Sequence, residues 1–366
     1  MSRDRDSTYC LILYNIEHYA KLGTGLTLKD YRGPSTEDGS GMRVRFWGAR
    51  GSIPTPMSEA ELQDKIKMAL VGAVGIDLTD RDAIDRYVER LTPTICSTAG
   101  GNTPCVEVRA DDSESVFILD CGSGLRPLGN LLMKEAFGKG QGTAHIFLSH
   151  THWDHIQGFP FFFPAYVPGN TFHFHSPYPD MEARFEEQQH DVFFPVPVSY
   201  MRSTRTWEYL EPDESVALDG VQVTATELSH PGKSFAYRLS HGGKSVVYAT
   251  DGEYHRMDKE STAHYVDFFQ DADLLIFDAQ FSFEQVIDEK RDWGHSTPKM
   301  GAELAFRAGV KRLVIFHHDP AATDERLWAA VEEAYHHLAF RNRGVGQSAD
   351  QLTEVILARE GLIVDL

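Results

Sequence analysis

The sequence predicts an α/β protein in which sheets and helices form a layered sandwich. Three observations lead there. The chain has 366 residues, 42% of them hydrophobic, enough to bury a large core in one sizeable domain or two modest ones. Strand-like runs alternate with segments of helical periodicity along most of its length. No repeat of fixed period and no low-complexity tract interrupts that alternation.

Taken in order, residues 1–41 stand apart and are expected to form an N-terminal extension. They are charged at the start and Gly/Ser-rich at the end, with an apolar patch at Leu11 to Leu13. Residues 42–366 are expected to form one domain. Its first strand is the alternating MRVRFWG, followed by the turn-rich RGSIPTP. Residues 58–92 read as a helical insertion. Ser58 with Glu61 three positions on makes a capping box, and Leu62, Ile66, Ala69 and Leu70, then Ile84, Tyr87, Val88 and Leu91, recur at helical spacing. CVEVRA and SVFILD are strands, and the loop CGSGLRPLG leads into a helix. AHIFLS, VQVTATELS, FAYRLS, SVVYATD and DLLIFDA are the strands of the second half. Thr297-Pro298 supplies an N-cap and first turn for a helix that Gly309 ends. The strand RLVIF, a helix around Leu327 to Leu338 and a closing hairpin, TEVILA–REG–LIVDL, complete the chain.

Composition narrows the function classes. Lys+Arg is 35 against 54 for Asp+Glu, a formal net charge of −19. Coating nucleic acid requires cations that neutralise phosphates, so nucleic acid is not the expected partner. No run nears the roughly 18 apolar residues that cross a bilayer, and no membrane partner is expected. The first residues lack a secretory pattern, and the four cysteines form no CxxC pair, which together predict a reducing, cytoplasmic setting.

The 17 histidines are where the function becomes readable. Directly after the strand AHIFLS comes His150-Thr151-His152-Trp153-Asp154-His155. Three imidazoles and a carboxylate in six residues are costly to desolvate as plain core, but suit a first-row metal such as Zn, Fe or Mn. One ion cannot use all four groups well. A loop turning immediately after Asp154 can aim His150 and His152 at one ion, and Asp154 and His155 at a neighbour. Further ligands are then expected at other strand ends, where His230, Asp251 and His317 each close an apolar run. Asp251 has two oxygens and can bridge both ions.

With these residues, the motifs FWGARGSIPTP, GGNTPCVEV, LDCGSGL, HTHWDHIQG and Gly294-His295-Ser296-Thr297 resemble the metallo-β-lactamase superfamily, in its ribonuclease Z/phosphodiesterase branch. The resemblance covers about residues 42–366. It implies an αββα sandwich and a hydrolase with two divalent metal ions at one edge, zinc foremost, with manganese or iron as alternatives. It assigns His150, His152 and His230 to the first ion, and Asp154, His155 and His317 to the second, with Asp251 bridging. His317 is preferred to its neighbour His318 because it falls directly after the strand. Many β-lactamases carry a Cys at the bridging position; Asp251 here counts against β-lactam hydrolysis.

Two close cations can share a hydroxide that attacks phosphorus while clamping the substrate oxygens. Something must then protonate the leaving alkoxide, and His295, ahead of a helix N-terminus, is the candidate acid. The resemblance also implies that Asp154 is a second catalytic candidate, orienting the nucleophile besides binding metal. Asp278 and Gln280, ending the strand DLLIFDA, are candidates for fixing imidazole tautomers. Gly122, Ser123 and Gly124 could offer backbone N–H groups to an anion. Phe193, Phe194 and Trp207 could stack on a base, although core packing is the simpler reading. His173 and His175 share a strand face without a carboxylate neighbour in sequence, so they are read as ordinary imidazoles. The expected substrate is a small anionic phosphodiester, with a cyclic nucleotide leading. The alternatives are a ribonuclease Z-like endonuclease and a lactonase or other ester hydrolase. A homodimer is implied by the resemblance alone.

Overall fold

The protein is described here as a computed structural model covering residues 41–345 and 353–366, so the N-terminal extension, Gly41 apart, lies outside the described residues. Two seven-stranded sheets face each other. The first is built from β1 (Met42–Gly48), β2 (Cys105–Ala110), β3 (Val116–Leu119), β4 (Thr143–Phe147), β5 (Thr171–Ser176) and β6 (Thr204–Tyr209), in that spatial order. The second holds β7 (Ser215–Leu218), β8 (Val221–Leu228), β9 (Ser234–His241), β10 (Lys244–Ala249), β11 (Leu274–Asp278), β12 (Arg312–Phe316) and β13 (Glu354–Leu357), also in sequence order. The last strand, β14 (Ile363–Asp365), returns to the first sheet beside β1.

Burial follows from the layers. β3 and β11 are buried along their whole length because each is covered on both faces, which is why they read as unbroken apolar runs. β8 alternates from Val221 to Ala225 instead, with Gln222 exposed and Thr224 half-buried on its outer face. Between the sheets Phe46, Phe117, Phe147, Tyr237, Tyr248 and Phe316 form one apolar layer. Phe147 meets Tyr237 across the gap at 5.5 Å, and Phe46 meets Phe316 at 6.1 Å. Outside the second sheet, Ala302, Leu304 and Ala305 of the helix Pro298–Ala308 and Leu338 of the helix Asp324–Val345 pack onto Leu275, Phe277 and Ile315. Leu125, Leu128 and Leu132 of the helix Leu125–Leu132 are buried with the first sheet's residues. The order is therefore helix, sheet, sheet, helix: an αββα sandwich. No helix among the described residues is long and apolar enough to cross a membrane.

Between β1 and β2 the chain forms three helices, Glu59–Gly72, Arg81–Val88 and Pro93–Cys96. Ser58 and Glu61 close a reciprocal capping box at the first. The expected terminal hairpin does not form. β13 pairs in parallel with β12 in one sheet, while β14 pairs antiparallel to β1 in the other. The REG segment has hairpin chemistry, but Ala358 N–H donates to Ile315 O and Gly361 N–H to Phe46 O, so the turn carries the chain from sheet to sheet. The C-terminal ends of β4, β8, β10, β11 and β12 all point to one edge of the sandwich, where their polar continuations converge.

Candidate metal centre

His150 leaves β4 after Leu148 and Ser149, and the one-turn helix Trp153–Ile156 starts immediately after His152. The turn therefore begins before Asp154 and not after it as expected, and it swings Asp154 and His155 away from the first two imidazoles. His230 and Asp251 sit two residues beyond β8 and β10, and His317 one beyond β12. The seven side chains meet. His152 Nδ1 and His230 Nε2 are 3.1 Å apart, with His150 at the same group. Nε2 of His155 and His317 each lie 3.2 Å from Asp154 Oδ2. Asp251 stands between the trios. Its Oδ1 is 3.8 Å from His150 Nε2 and 3.9 Å from His230 Nε2, and its Oδ2 is 3.3 Å from His155 and 3.4 Å from His317. His318 turns away, donating from Nε2 to Ala358 O at 2.8 Å.

Outer contacts orient the rings. The Nδ1–H of His155 donates to Asp120 at 2.7 Å, that of His317 to Gln280 at 3.0 Å, and that of His230 to Gly294 O at 2.8 Å. Each acceptor fixes the tautomer and leaves an Nε2 lone pair facing the cluster. Asp120 is itself fully buried and accepts from Ser149 N–H, Ser149 Oγ and Tyr248 Oη. Ser52 N–H donates to Asp154 at 2.7 Å. The backbone is tightened at these points: Ser52, Asp120, Asp251 and His317 all have φ between +56° and +64°. Such conformations cost about 1–3 kcal/mol each for non-glycine residues and persist where surrounding contacts over-determine them. Glycines clear the rest: a Cβ on Gly294 (φ +86°) would fall 2.0 Å from His230 Nδ1, and one on Gly51 2.6 Å from His317.

The donor set suits divalent cations. His150 Nε2 is a buried atom with no hydrogen-bond partner, and the Nε2 atoms of His155 and His317 face each other at 3.2 Å. Burial drives the His150 imidazole well below its ordinary value, helped by the surrounding imidazoles. Burial also opposes charge on Asp154 and Asp251, yet the neighbouring imidazoles hold both carboxyls below the usual range. Conversely His155, despite burial, is held well above by Asp154, Asp251 and Asp120. Neutral nitrogens and ionised oxygens around shared points are what a first-row dication binds, displacing protons as it does so.

The remaining candidates separate. His295 reaches the cleft, its Nδ1 bonded to Asp278 Oδ2 at 2.8 Å and its ring stacked on His317 at 5.0 Å. Burial alone would lower its imidazole; Asp278, Asp251 and Asp154 raise it to about 9. Asp278 and Gln280 thus both contact imidazoles. The Gly122–Gly124 loop offers an anion nothing, because its three N–H groups are taken by Pro104 O, Thr103 Oγ1 and Thr103 O. Trp207 stacks on Phe174 at 4.3 Å in the core, while Phe193 is exposed. His173 and His175 do have a carboxylate neighbour, Glu208, at 3.3 and 3.5 Å, brought from β6 by strand pairing. Sequence reasoning missed Ser52 and Asp120, both placed at the cluster by folding from distant segments.

Residues 116–318 match the family described as the beta-lactamase superfamily domain. The chain is 26% identical over 249 residues to a ribonuclease Z from Halorubrum lacusprofundi, spanning 55% of this chain and 76% of that one. It is 24% identical over 304 residues to a ribonuclease Z from Picrophilus torridus, spanning 70% and 93%. Among solved structures, the metallo-β-lactamase fold protein YhfI from Bacillus subtilis superposes with a TM-score of 0.57 at 18% identity, covering 89% of this chain and all of that one. Relatives named for action on RNA overturn the expectation that nucleic acid is not a partner. A net charge sums the whole surface and says nothing of one edge. By family match and fold together, the chain belongs to the metallo-β-lactamase superfamily as a metal-dependent hydrolase of its ribonuclease Z/phosphodiesterase branch.

Proposed function

We propose that the chain is a dinuclear, zinc-dependent phosphodiesterase and that a cyclic nucleotide is its substrate. His150, His152 and His230 would hold one ion, Asp154, His155 and His317 the other, and Asp251 both. The ions would supply Lewis acidity toward water and toward the phosphoryl oxygens. The observation that carries the reading is the His295–Asp278 pair at the cleft. Asp278 accepts the Nδ1 proton and stabilises the imidazolium, while Nε2 makes no hydrogen bond to the described residues. A protonated, oriented imidazole beside the metal ligands is what an alkoxide leaving group needs. Asp154, held by Ser52 N–H, would align the attacking water. Ester or lactone cleavage has less use for such an acid.

A second reading, endonuclease action on RNA, is favoured by the relatives named ribonuclease Z. It uses the same chemistry at the same residues. The test is a panel with added Zn²⁺: cyclic mononucleotides, precursor transfer RNA, bis-p-nitrophenyl phosphate, lactones and nitrocefin. Hydrolysis of the phosphodiesters is expected. His295→Ala should slow alkoxide-leaving substrates about 10²–10⁴-fold, the usual scale of general acid catalysis. It should slow bis-p-nitrophenyl phosphate far less, since p-nitrophenolate leaves without a proton. Lactone turnover with inert diesters, or equal losses on both leaving groups, would overturn the assignment.

A further inference from the structure

The chain has five tryptophans, and four have partners that explain them. Trp47 donates to Glu107 at 2.8 Å beneath the Arg45 guanidinium. Trp207 stacks on Phe174, Lys290 Nζ lies 3.6 Å from the Trp293 ring, and Trp328 packs with Leu327. Trp153 is different. It is 82% exposed, and its indole makes no ring, cation–π or hydrogen-bond contact with the described residues. Yet it stands between His152 and Asp154 and lines a cleft of about 380 Å³ with Ser52, Thr151, Asp251, His295 and His317.

Its mounting is firm. Trp153 O accepts from Gln157 N–H at 2.8 Å, His152 O from His155 N–H at 3.0 Å, and Ser52 N–H ties Asp154. An unpartnered indole on a fixed backbone, at the wall of a cleft of ligand size, offers a flat apolar face at low ordering cost. Aromatic faces of this kind bind bases by stacking, with little dependence on which base is present. We propose that Trp153 is the stacking surface for the base of a nucleoside phosphodiester whose phosphate lies at the His/Asp cluster. The proposal rests on the phosphodiesterase reading, and it sets the substrate class: the base is gripped, and not only the phosphate. A free cyclic nucleotide and a nucleotide splayed from RNA present the same chemistry, so the test includes both.

The full zinc-loaded chain is compared with Trp153→Ala and Trp153→Phe on cyclic AMP and on the matching abasic cyclic phosphate. A parallel arm uses RNA oligonucleotides with a base, or an abasic sugar, next to the scissile bond. For the source actually cleaved, Trp153→Ala should raise KM about 5- to 150-fold with the base present, the span of base–aromatic stacking, and leave the abasic substrate unchanged. Trp153→Phe should recover most of the loss, with kcat little altered throughout. As a readout independent of turnover, AMP titrated into the zinc-loaded wild type should quench tryptophan fluorescence, and that quench should vanish in Trp153→Phe, whereas inorganic phosphate quenches neither. Equal losses on base-bearing and abasic substrates, or an AMP quench that survives in Trp153→Phe, overturn the proposal while leaving the phosphodiesterase reading standing. A Trp153-dependent AMP quench in a protein that cleaves no phosphodiester overturns that reading and supports the stacking surface.

Discussion

Asp120 gives the sharpest test of how the metal centre is held. The informative change is Asp120→Asn, because Asn tolerates the φ of +61° that Asp120 adopts and leaves the backbone in place. The carboxylate accepts four hydrogen bonds while fully buried: Ser149 N–H at 2.8 Å, and Ser149 Oγ, Tyr248 Oη and His155 Nδ1–H at 2.7 Å each. An amide keeps the first through its oxygen and turns its nitrogen, a donor, toward the others. The two hydroxyls can rotate to accept. His155 cannot do so without changing tautomer, which moves its proton to the Nε2 that faces Asp154, Asp251 and His317.

At least one charge-assisted bond is lost, about 1.5–3 kcal/mol of folding stability. Loss of such an outer-shell partner lowers metal affinity about 10–100-fold. That loss should be confined to one ion, because among His150, His152 and His230 none bonds Asp120 directly. Competition with a chromophoric chelator should therefore find two ions in the wild type, and in Asp120→Asn one ion unchanged and one weakened. Two ions of wild-type affinity, or two weakened alike, would refute the tautomer argument.

Gly294→Ala should produce the mirror image, weakening the ion of the His230 trio, since the added Cβ would lie 2.0 Å from His230 Nδ1; an unchanged chelator profile would show that the loop yields. Burial pushes the His318 imidazole down to about 3 against an unfolded value near 6.5, so its folded form resists protonation. Its contribution is present above pH 6.5 and is lost as pH falls toward 3, amounting to about 2 kcal/mol at pH 5. Urea unfolding of chelator-treated protein at pH 7.5 and 5 should show that loss in the wild type and a smaller one in His318→Gln; parallel losses would place the titration elsewhere. The two substrate readings differ in salt dependence. RNA held at several phosphates loses binding with a log–log slope of about −0.7 per contact, whereas a cyclic nucleotide should show a slope shallower than −1. Equal slopes for RNA and cyclic nucleotide would mean that RNA is held at one phosphate only.

The convergence of the His and Asp side chains was legible because each is a polar residue that closes, or soon follows, an apolar strand. His150, His230, Asp251 and His317 could be picked from one-dimensional pattern, since strands in layered α/β folds deliver their ends to one edge. What pattern does not carry is partnership. Asp120 lies 35 positions from the His155 it orients, and nothing local marks it; Gln280 is a candidate by its place after a strand, but its partner His317 is 37 positions away and pattern does not name it. The terminal hairpin failed for the same reason, because turn chemistry at Arg359 to Gly361 specifies a reversal but not which neighbour each strand meets. Facing was legible only in part. Trp207 packs into the core, as the simpler reading has it, whereas Phe193 of the same group is exposed, and Trp153, embedded in a ligand motif, stands in solvent.

Net charge misled through scale. Counter-ions screen exposed charges within about 8–10 Å at ordinary ionic strength, so most of the surplus carboxylates never act on a phosphate at the strand ends. At the centre the relevant groups are few. Asp120, Asp154 and Asp251 are the carboxylates in contact with the imidazole cluster, and Asp278 is balanced by the His295 imidazolium it bonds. Two dications would outweigh those three carboxylates inside a poorly screened site, where each charge counts for more. The same protein can then be acidic overall and attract phosphate at one edge. An acidic exterior limits how much of a long polyanion lies flat on the surface, but it does not oppose one phosphodiester, free or within RNA, from reaching the ions. Charge composition therefore bears on how many phosphates are held, and the ligand geometry bears on whether one is cleaved.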